Sequence, residues 1–372
     1  MRILLLVTIF LASLNAQAQG GSPVFIVPSW DELFPVRLPE IPEMPVDGKL
    51  AAAQGVKEIV MLDAAKQKKK KKRKKNTDTL AIWRLDRDGR VIAFNDRRDG
   101  FSTITISYVH RDKIGAWSKR SAGGLDSFNI RYNRSGVPDR VIRTHPEAAG
   151  AGQTLRSDTF NIHYASKLFP VIYKDAAQKE THAYLHDPGG RLLKRTLTRE
   201  NEGLISVDSI SYSKENGSLR AEHYYRSYVA DPPAYQLIDK LLLDSLGNVL
   251  EYEYVFAQGN GNLRRNVQRG EIEKYTYANG LPVSGTLERG TRTIENRRYD
   301  RDRHGTVTTY HLQKTDWSVK GEMKPMIHYI TERTYDKNGM PEKESYRVFK
   351  RYGTSSVEDP KAARYATFVL KK

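Results

Sequence analysis

The stretch Tyr335-Asp336-Lys337-Asn338-Gly339 constrains the fold more than any other feature of the chain, because its pattern recurs. An aromatic or apolar residue is followed by Asp or Asn, two further residues and Gly. The side chain of Asp or Asn bonds backbone amides of a tight turn, and Gly takes the positive backbone angle needed before the chain returns. The same spacing occurs at Asp86 and Gly89, Asn133 and Gly136, Asp187 and Gly190, Asp244 and Gly247, Asp302 and Gly305, and Asp336 and Gly339. Each is predicted to be the tip of a β-hairpin. Tyr212-Ser213 to Gly217 and Tyr277-Ala278-Asn279-Gly280 are a longer and a shorter variant.

Between these tips the hydrophobic period is two. Ile104, Ile106 and Tyr108 alternate with Thr103, Thr105 and Ser107; Leu250, Tyr252, Tyr254 and Phe256 alternate with Glu251, Glu253 and Val255. Such alternation marks half-buried antiparallel strands. Helical spacing is hard to find after residue 80, except near "AYQLIDKLLLDS". The expected fold is mainly β: successive antiparallel hairpins over 77–372 forming a curved or rolled meander sheet, with a short N-terminal helix candidate before it.

Tyr335-Asp336-Lys337-Asn338-Gly339, and "LHDPGGRL" around Asp187 and Gly190 with its Gly-Arg-Leu ending, resemble the YD repeat of the Rhs family and of small secreted bacterial relatives. The resemblance covers residues 83 to about 346 in degenerate copies. It implies successive β-hairpins building a curled sheet. Family members with a toxic C-terminal domain are longer, and no such domain follows "RYATFVLKK", so a short sheet without the delivery function is implied.

The N-terminal part divides into three. Arg2, the apolar run "ILLLVTIFLASL" and Ala16-Gln17-Ala18 read as a signal peptide over 1–18, too short to span a bilayer. Over 19–48, Pro23, Pro28, Pro35, Pro39, Pro42 and Pro45 impose an extended path. Phe25, Trp30, Leu33 and Phe34 among them suit packing along the main domain, ahead of docking on a partner. The third part, 49–76, joins a helix candidate to a polybasic linker. "GKLAAAQGVKEIVMLDAAK", 48–66, is rich in helix formers, with Val56 to Leu62 open to a strand reading. Cysteine is absent, which excludes disulfides and a lipidated cysteine; an exported protein of the bacterial periplasm, outer surface or extracellular space is expected.

The formal charge is +17, and Lys68, Lys69, Lys70, Lys71, Lys72, Arg73, Lys74 and Lys75 carry eight of those charges in one run. Outside the cytoplasm the polyanions such a run meets are anionic lipid, lipopolysaccharide and acidic glycans; a solvated spacer is the plain alternative. A protein partner stays open, and nucleic acid is not an expected partner. Deleting the run should leave the β fold intact, on the reading that it precedes the first strand.

Enzyme signatures are sparse: there is no Gly-x-Ser-x-Gly elbow, no phosphate-cradling Gly-rich loop and no His-Glu-x-x-His motif, and no cofactor is expected. His182 and His186 on one strand would stand about 13 Å apart, too far to share a metal, and read as surface histidines flanking a turn. Asp300 to Gly305 lacks the twelfth-position Glu of a calcium loop, since His311 stands there. The tyrosines fit cross-strand packing ahead of a sugar-binding platform. A non-catalytic scaffold or binding protein of the cell envelope is the leading expectation, with a glycan- or polymer-acting enzyme second and extracellular nucleic-acid binding last.

Overall fold

The computed structural model describes residues 33, 41–42, 44–64, 79–98, 101–110, 113–149, 152–164, 170–175, 179–229, 235–255, 270–290, 292–301, 307–315, 326–352 and 355–372. The signal peptide, most of 19–48, the run Lys68 to Lys75, Asp302 and Gly305 lie outside them. The chain divides into two compact units, the first containing Leu33 and 106–274, the second 40–105 and 275–372. The divisions fall inside β4 (Ser102–His110) and β16 (Glu271–Ala278).

In the first unit the strands are β5 (Lys113–Ser121), β6 (Gly124–Tyr132), β7 (Pro138–Ala149), β8 (Gly152–Tyr164), β9 (Pro170–Asp175), β10 (Glu180–His186), β11 (Leu192–Arg199), β12 (Gly203–Glu215), β13 (Ser218–Ser227), β14 (Tyr235–Leu243) and β15 (Val249–Tyr254). Each pairs antiparallel with the next, and β15 pairs with β16. The second unit holds β1 (Glu58–Asp63), β2 (Thr79–Leu85), β3 (Val91–Asp96), β17 (Leu281–Arg289), β18 (Arg292–Arg301), β19 (Val307–Lys314), β20 (Met326–Tyr335), β21 (Pro341–Tyr352), β22 (Ser355–Glu358) and β23 (Arg364–Lys371). Its pairing is also antiparallel and mostly sequential, but β23 lies between β21 and β1, and β22 pairs with the end of β21. The mainly β, antiparallel reading is therefore correct. The helical spacing near "AYQLIDKLLLDS" is misleading, since Tyr235–Leu243 is strand β14, paired on both sides.

Five of the repeated turns are described, and they are built alike. In each, the amide of Gly89, Gly136, Gly190, Gly247 or Gly339 donates to the carbonyl of the Asp or Asn three residues earlier, at 2.9–3.1 Å. The side chain of that residue accepts the amide four residues ahead: Arg90, Val137, Arg191, Asn248 and Met340 donate to Asp86, Asn133, Asp187, Asp244 and Asp336 at 2.8–3.2 Å. Each glycine has φ between +76° and +88°, and each tip carries a register shift that lets one extra residue into the return strand. Arg301 and Val307, which flank the sixth copy, keep the six-residue pairing distance of Tyr335 and Pro341. The two variants are a different turn: Asn216-Gly217 and Asn279-Gly280 both have positive φ at two successive residues, the two-residue hairpin form.

Tyrosines near strand ends, in and outside the repeated pattern, have a role of their own. Tyr164 Oη donates to the carbonyl of Pro138 (2.7 Å), Tyr212 Oη to Leu192 (3.0 Å) and Tyr335 Oη to Val307 (3.2 Å). Each acceptor opens the return strand of the preceding hairpin. A tyrosine at the end of one hairpin thus ties it to the one before, and burial pushes the Tyr164 phenol up to about 12. Other aromatics pack across strands, as with Trp83 on Phe94 and Tyr299 on Tyr310, ring centres 5.1 and 4.8 Å apart.

The helix expected across 48–66 is only α1 (Gly48–Ala53), capped by Asp47, whose carboxylate accepts the Leu50 amide at 2.9 Å. Gly55, at φ +70°, ends it. Beyond it Glu58–Asp63 forms β1 between β2 and β23, so tertiary pairing overrides the helix propensity of the alanines. The lysine run therefore follows the first strand instead of preceding it: fifteen residues join Asp63 to Thr79, and removing eight would leave seven, ample for adjacent antiparallel strands.

Within the second unit α1 packs against two repeated turns. A Cβ on Gly89 would lie 1.8 Å from the Gly48 carbonyl oxygen, and one on Gly339 would lie 3.0 Å from the Leu50 side chain. Met44, Val46, Ala51 and Val56 are buried around this contact. Gly247 has the same positive φ with open space around it. Gly247→Ala should cost about 1–2 kcal/mol, the left-handed penalty alone, and Gly89→Ala about 1–3 kcal/mol more through the overlap. Urea unfolding of the two variants measures the difference; equal losses would mean that α1 does not press on the turn.

Candidate functional site

Strand parity in the first unit puts a row of charged side chains on the buried face. His182 and Tyr184 of β10 share that face; Arg195 of β11 stands opposite Tyr184, and Asp208 of β12 opposite Arg195. His223 of β13 is opposite Ile210 and next to Asp239 of β14. Asp208, His223 and His182 are 3%, 6% and 6% exposed, so their charges cannot be left to solvent and need partners inside the protein.

Those partners are present. Asp208 takes Arg195 Nη1 on one oxygen at 3.1 Å and His223 Nε2 on the other at 2.9 Å. The second nitrogen of His223 lies 3.4 Å from Asp239 Oδ1, so the ring is bracketed by two carboxylates. Burial opposes its charged form, yet the hydrogen bonds and charges of Asp208 and Asp239 outweigh it and raise its pKa to about 9. Arg195 Nη2 stands 3.3 Å from His182 Nδ1. Since a guanidinium only donates, that nitrogen is the acceptor of a neutral ring. Burial first, and then the Arg195 charge, lower the His182 pKa to about 4.

A smaller copy of this arrangement lies in the same unit. Asp158, 7% exposed, accepts from His145 Nε2 and Arg156 Nε, each at 2.9 Å. Burial pushes its carboxyl up, but the two hydrogen bonds hold it below the usual range. These clusters balance charge internally. Each carboxylate is occupied by Arg or His side chains, which suits a structural role better than acid–base chemistry on a substrate.

The residues singled out in the sequence fall elsewhere. Asp86, Asn133, Asp187, Asp244, Asp336 and their glycines are hairpin tips; alternation of strand direction places those within each unit at one end of its sheet. The lysine run is outside the described residues. His182 is a correction: it is buried, because it shares parity with Tyr184, while His186 is half-buried at the strand end. Among the described residues no three His, Asp or Glu side chains gather as a metal site. The signal for the buried row was a charged residue at the apolar parity of a strand, as in Asp208-Ser209-Ile210; its partners depend on register, which the sequence does not state.

The two histidines oppose each other in pH. His223 has a folded pKa above its ordinary value of about 6.5, so its stabilisation is full below pH 6.5 and is lost as pH rises through 9. His182 has a folded pKa below that value, so stability falls as pH drops from 6.5 through 4. Urea unfolding should show a decline of up to about 3 kcal/mol between pH 6.5 and 9 that flattens in His223→Gln. An unchanged slope in the variant would remove His223 from this account.

No family model matches the chain, and no curated protein matches it. Two solved structures align over most of its length. One is a porin-like protein from Bacteroides uniformis, with 9% identity, a TM-score of 0.23, and coverage of 73% of this chain and 96% of that one. The other is the TcdB2-TccC3-Cdc42 assembly, with 11% identity, a TM-score of 0.24, and coverage of 79% of this chain and 22% of that one. This chain thus corresponds to about a fifth of the second, and at these scores neither likeness bears on function.

Proposed function

We propose that the chain is an exported, non-catalytic β-hairpin scaffold of the bacterial envelope, related to the YD-repeat proteins, whose curved or rolled sheet is held near an anionic surface by Lys68 to Lys75. The observation that carries this reading is where the lysine run is rooted. It joins β1 to β2, both paired on two sides, at the end of the second unit opposite α1 and the Asp86 and Asp336 turns. Eight cations are thereby fastened at both ends to a hydrogen-bonded sheet.

Two further features support it. The strand faces away from the core carry Asn129, Arg131, Ser211, Ser213 and Glu251 in the first unit and Arg84, Arg298 and Lys343 in the second, all exposed. Arg or Lys at a bilayer midplane would cost about 2–4 kcal/mol each, so these faces suit water. The buried carboxylates Asp208 and Asp239 are engaged by Arg195 and His223, which argues against the reading as a glycan-acting enzyme.

Lipid, lipopolysaccharide and acidic glycan share the chemistry the run would meet, about 1 kcal/mol per lysine at an anionic membrane surface. The test is binding of the mature protein, with and without 68–75, to phosphatidylglycerol vesicles, lipopolysaccharide and an acidic polysaccharide across a salt series. Binding should weaken steeply with salt and lose that dependence in the deletion, while circular dichroism stays that of a β protein. Equal binding by both forms would overturn the role of the run.

A further inference from the structure

At the end of the second unit where the lysine run departs, the described residues form a surface of their own. The strands β1, β3 and β21 run parallel to one another through their antiparallel neighbours, so Asp63, Asp96 and Tyr352 finish at the same end. The Arg97 amide donates to the Leu80 carbonyl at 2.9 Å, which fixes the exit of β3 beside the first residues of β2. Phe101 is 57% exposed there, with the Arg97 guanidinium 5.9 Å from its ring centre. On the other flank Val357 of β22 is 60% exposed, and Arg351 of β21 pairs with the adjacent Ser356.

The charges at this end favour an anion. Asp96 is held by Arg98 and Asp359 by Lys350, and Arg97, Arg351, Lys361 and Arg364 are exposed among the described residues. Large apolar side chains standing in water among arginines suit the interface of an anionic bilayer, where the ring enters the headgroup boundary and the guanidinium meets phosphate. The other end of this unit is covered by α1, whereas at this end Phe101 and Val357 are exposed among the described residues.

We propose that this end of the second unit seats on an anionic phospholipid bilayer, with Phe101 as the side chain that enters the lipid interface and Arg97 as its phosphate partner. The proposal rests on the reading above that the basic run meets an anionic surface, and it names lipid as that surface. It gives the protein a short-range, salt-resistant contact in addition to long-range attraction.

Phe101→Trp tests it directly, because the exposed site tolerates the larger ring. Adding vesicles of phosphatidylcholine with phosphatidylglycerol should shift the emission of the variant to the blue relative to the wild-type change, and brominated acyl chains should quench it. In the chain lacking 68–75, Phe101→Ser should weaken the residual binding about tenfold, and the loss should persist at high salt. If the emission of the Phe101→Trp variant changes no more than that of the wild type, while the wild type binds these vesicles in a run-dependent way, this inference is overturned and the proposed function stands. If binding requires lipopolysaccharide or the acidic glycan and phospholipid vesicles are ignored, lipid is the wrong surface. A wild type that binds none of the three would sink both readings.

Discussion

One oxygen atom in each repeated turn governs the local geometry. A side-chain oxygen of Asp86, Asn133, Asp187, Asp244 or Asp336 accepts the amide four residues ahead, and the following glycine supplies the positive φ that closes the turn. The extra residue admitted at each tip sets the pairing register of the two strands. Because side chains alternate between faces, that register decides which residues of each hairpin reach the core. A slip by one position would carry Asp208 and His223 out and Ser209 and Glu222 in.

Register in turn determines what the aromatic residues and buried charges can do. Tyr164, Tyr212 and Tyr335 reach the preceding hairpin only because the register brings them level with the carbonyls of Pro138, Leu192 and Val307. The row from His182 to Asp239 follows from the same levels. Four charged groups buried one at a time would each be costly, whereas Arg195, Asp208, His223 and Asp239 arranged in sequence across β11 to β14 neutralise one another. Such a row tolerates few alternative pairings, and so it reinforces the register that creates it.

The two ends of the second unit are used differently. One end is closed by the segment before β1, where Gly48 and Gly89 approach too closely for any side chain. In the first unit Tyr184 Oη donates to the carbonyl of Leu33 at 2.8 Å, so part of the proline-rich segment also lies against this chain's own strands. The other end of the second unit roots the lysine run and exposes Phe101 and Val357. This polarity is what a protein held at a surface would require.

The amino-acid sequence by itself determined the strand period, the hairpin tips and the spacing of the repeat, because turn chemistry and alternation are local and act within a few residues. Helix against strand at Val56 to Leu62 was not decided locally: Glu58–Asp63 became β1 because β23, some three hundred residues later, supplies one of its two partners. The buried face of His182 and its neighbours was likewise settled by tertiary structure. A lone His or Asp in a strand carries no label for its partner, and His223 meets Asp208 and Asp239 only after three strands have aligned. The lysine run was plain from composition, but the end of the sheet at which its flanking strands β1 and β2 stop and start depended on that same pairing of β1, since a sequence lists charges without saying which end of a sheet they leave from.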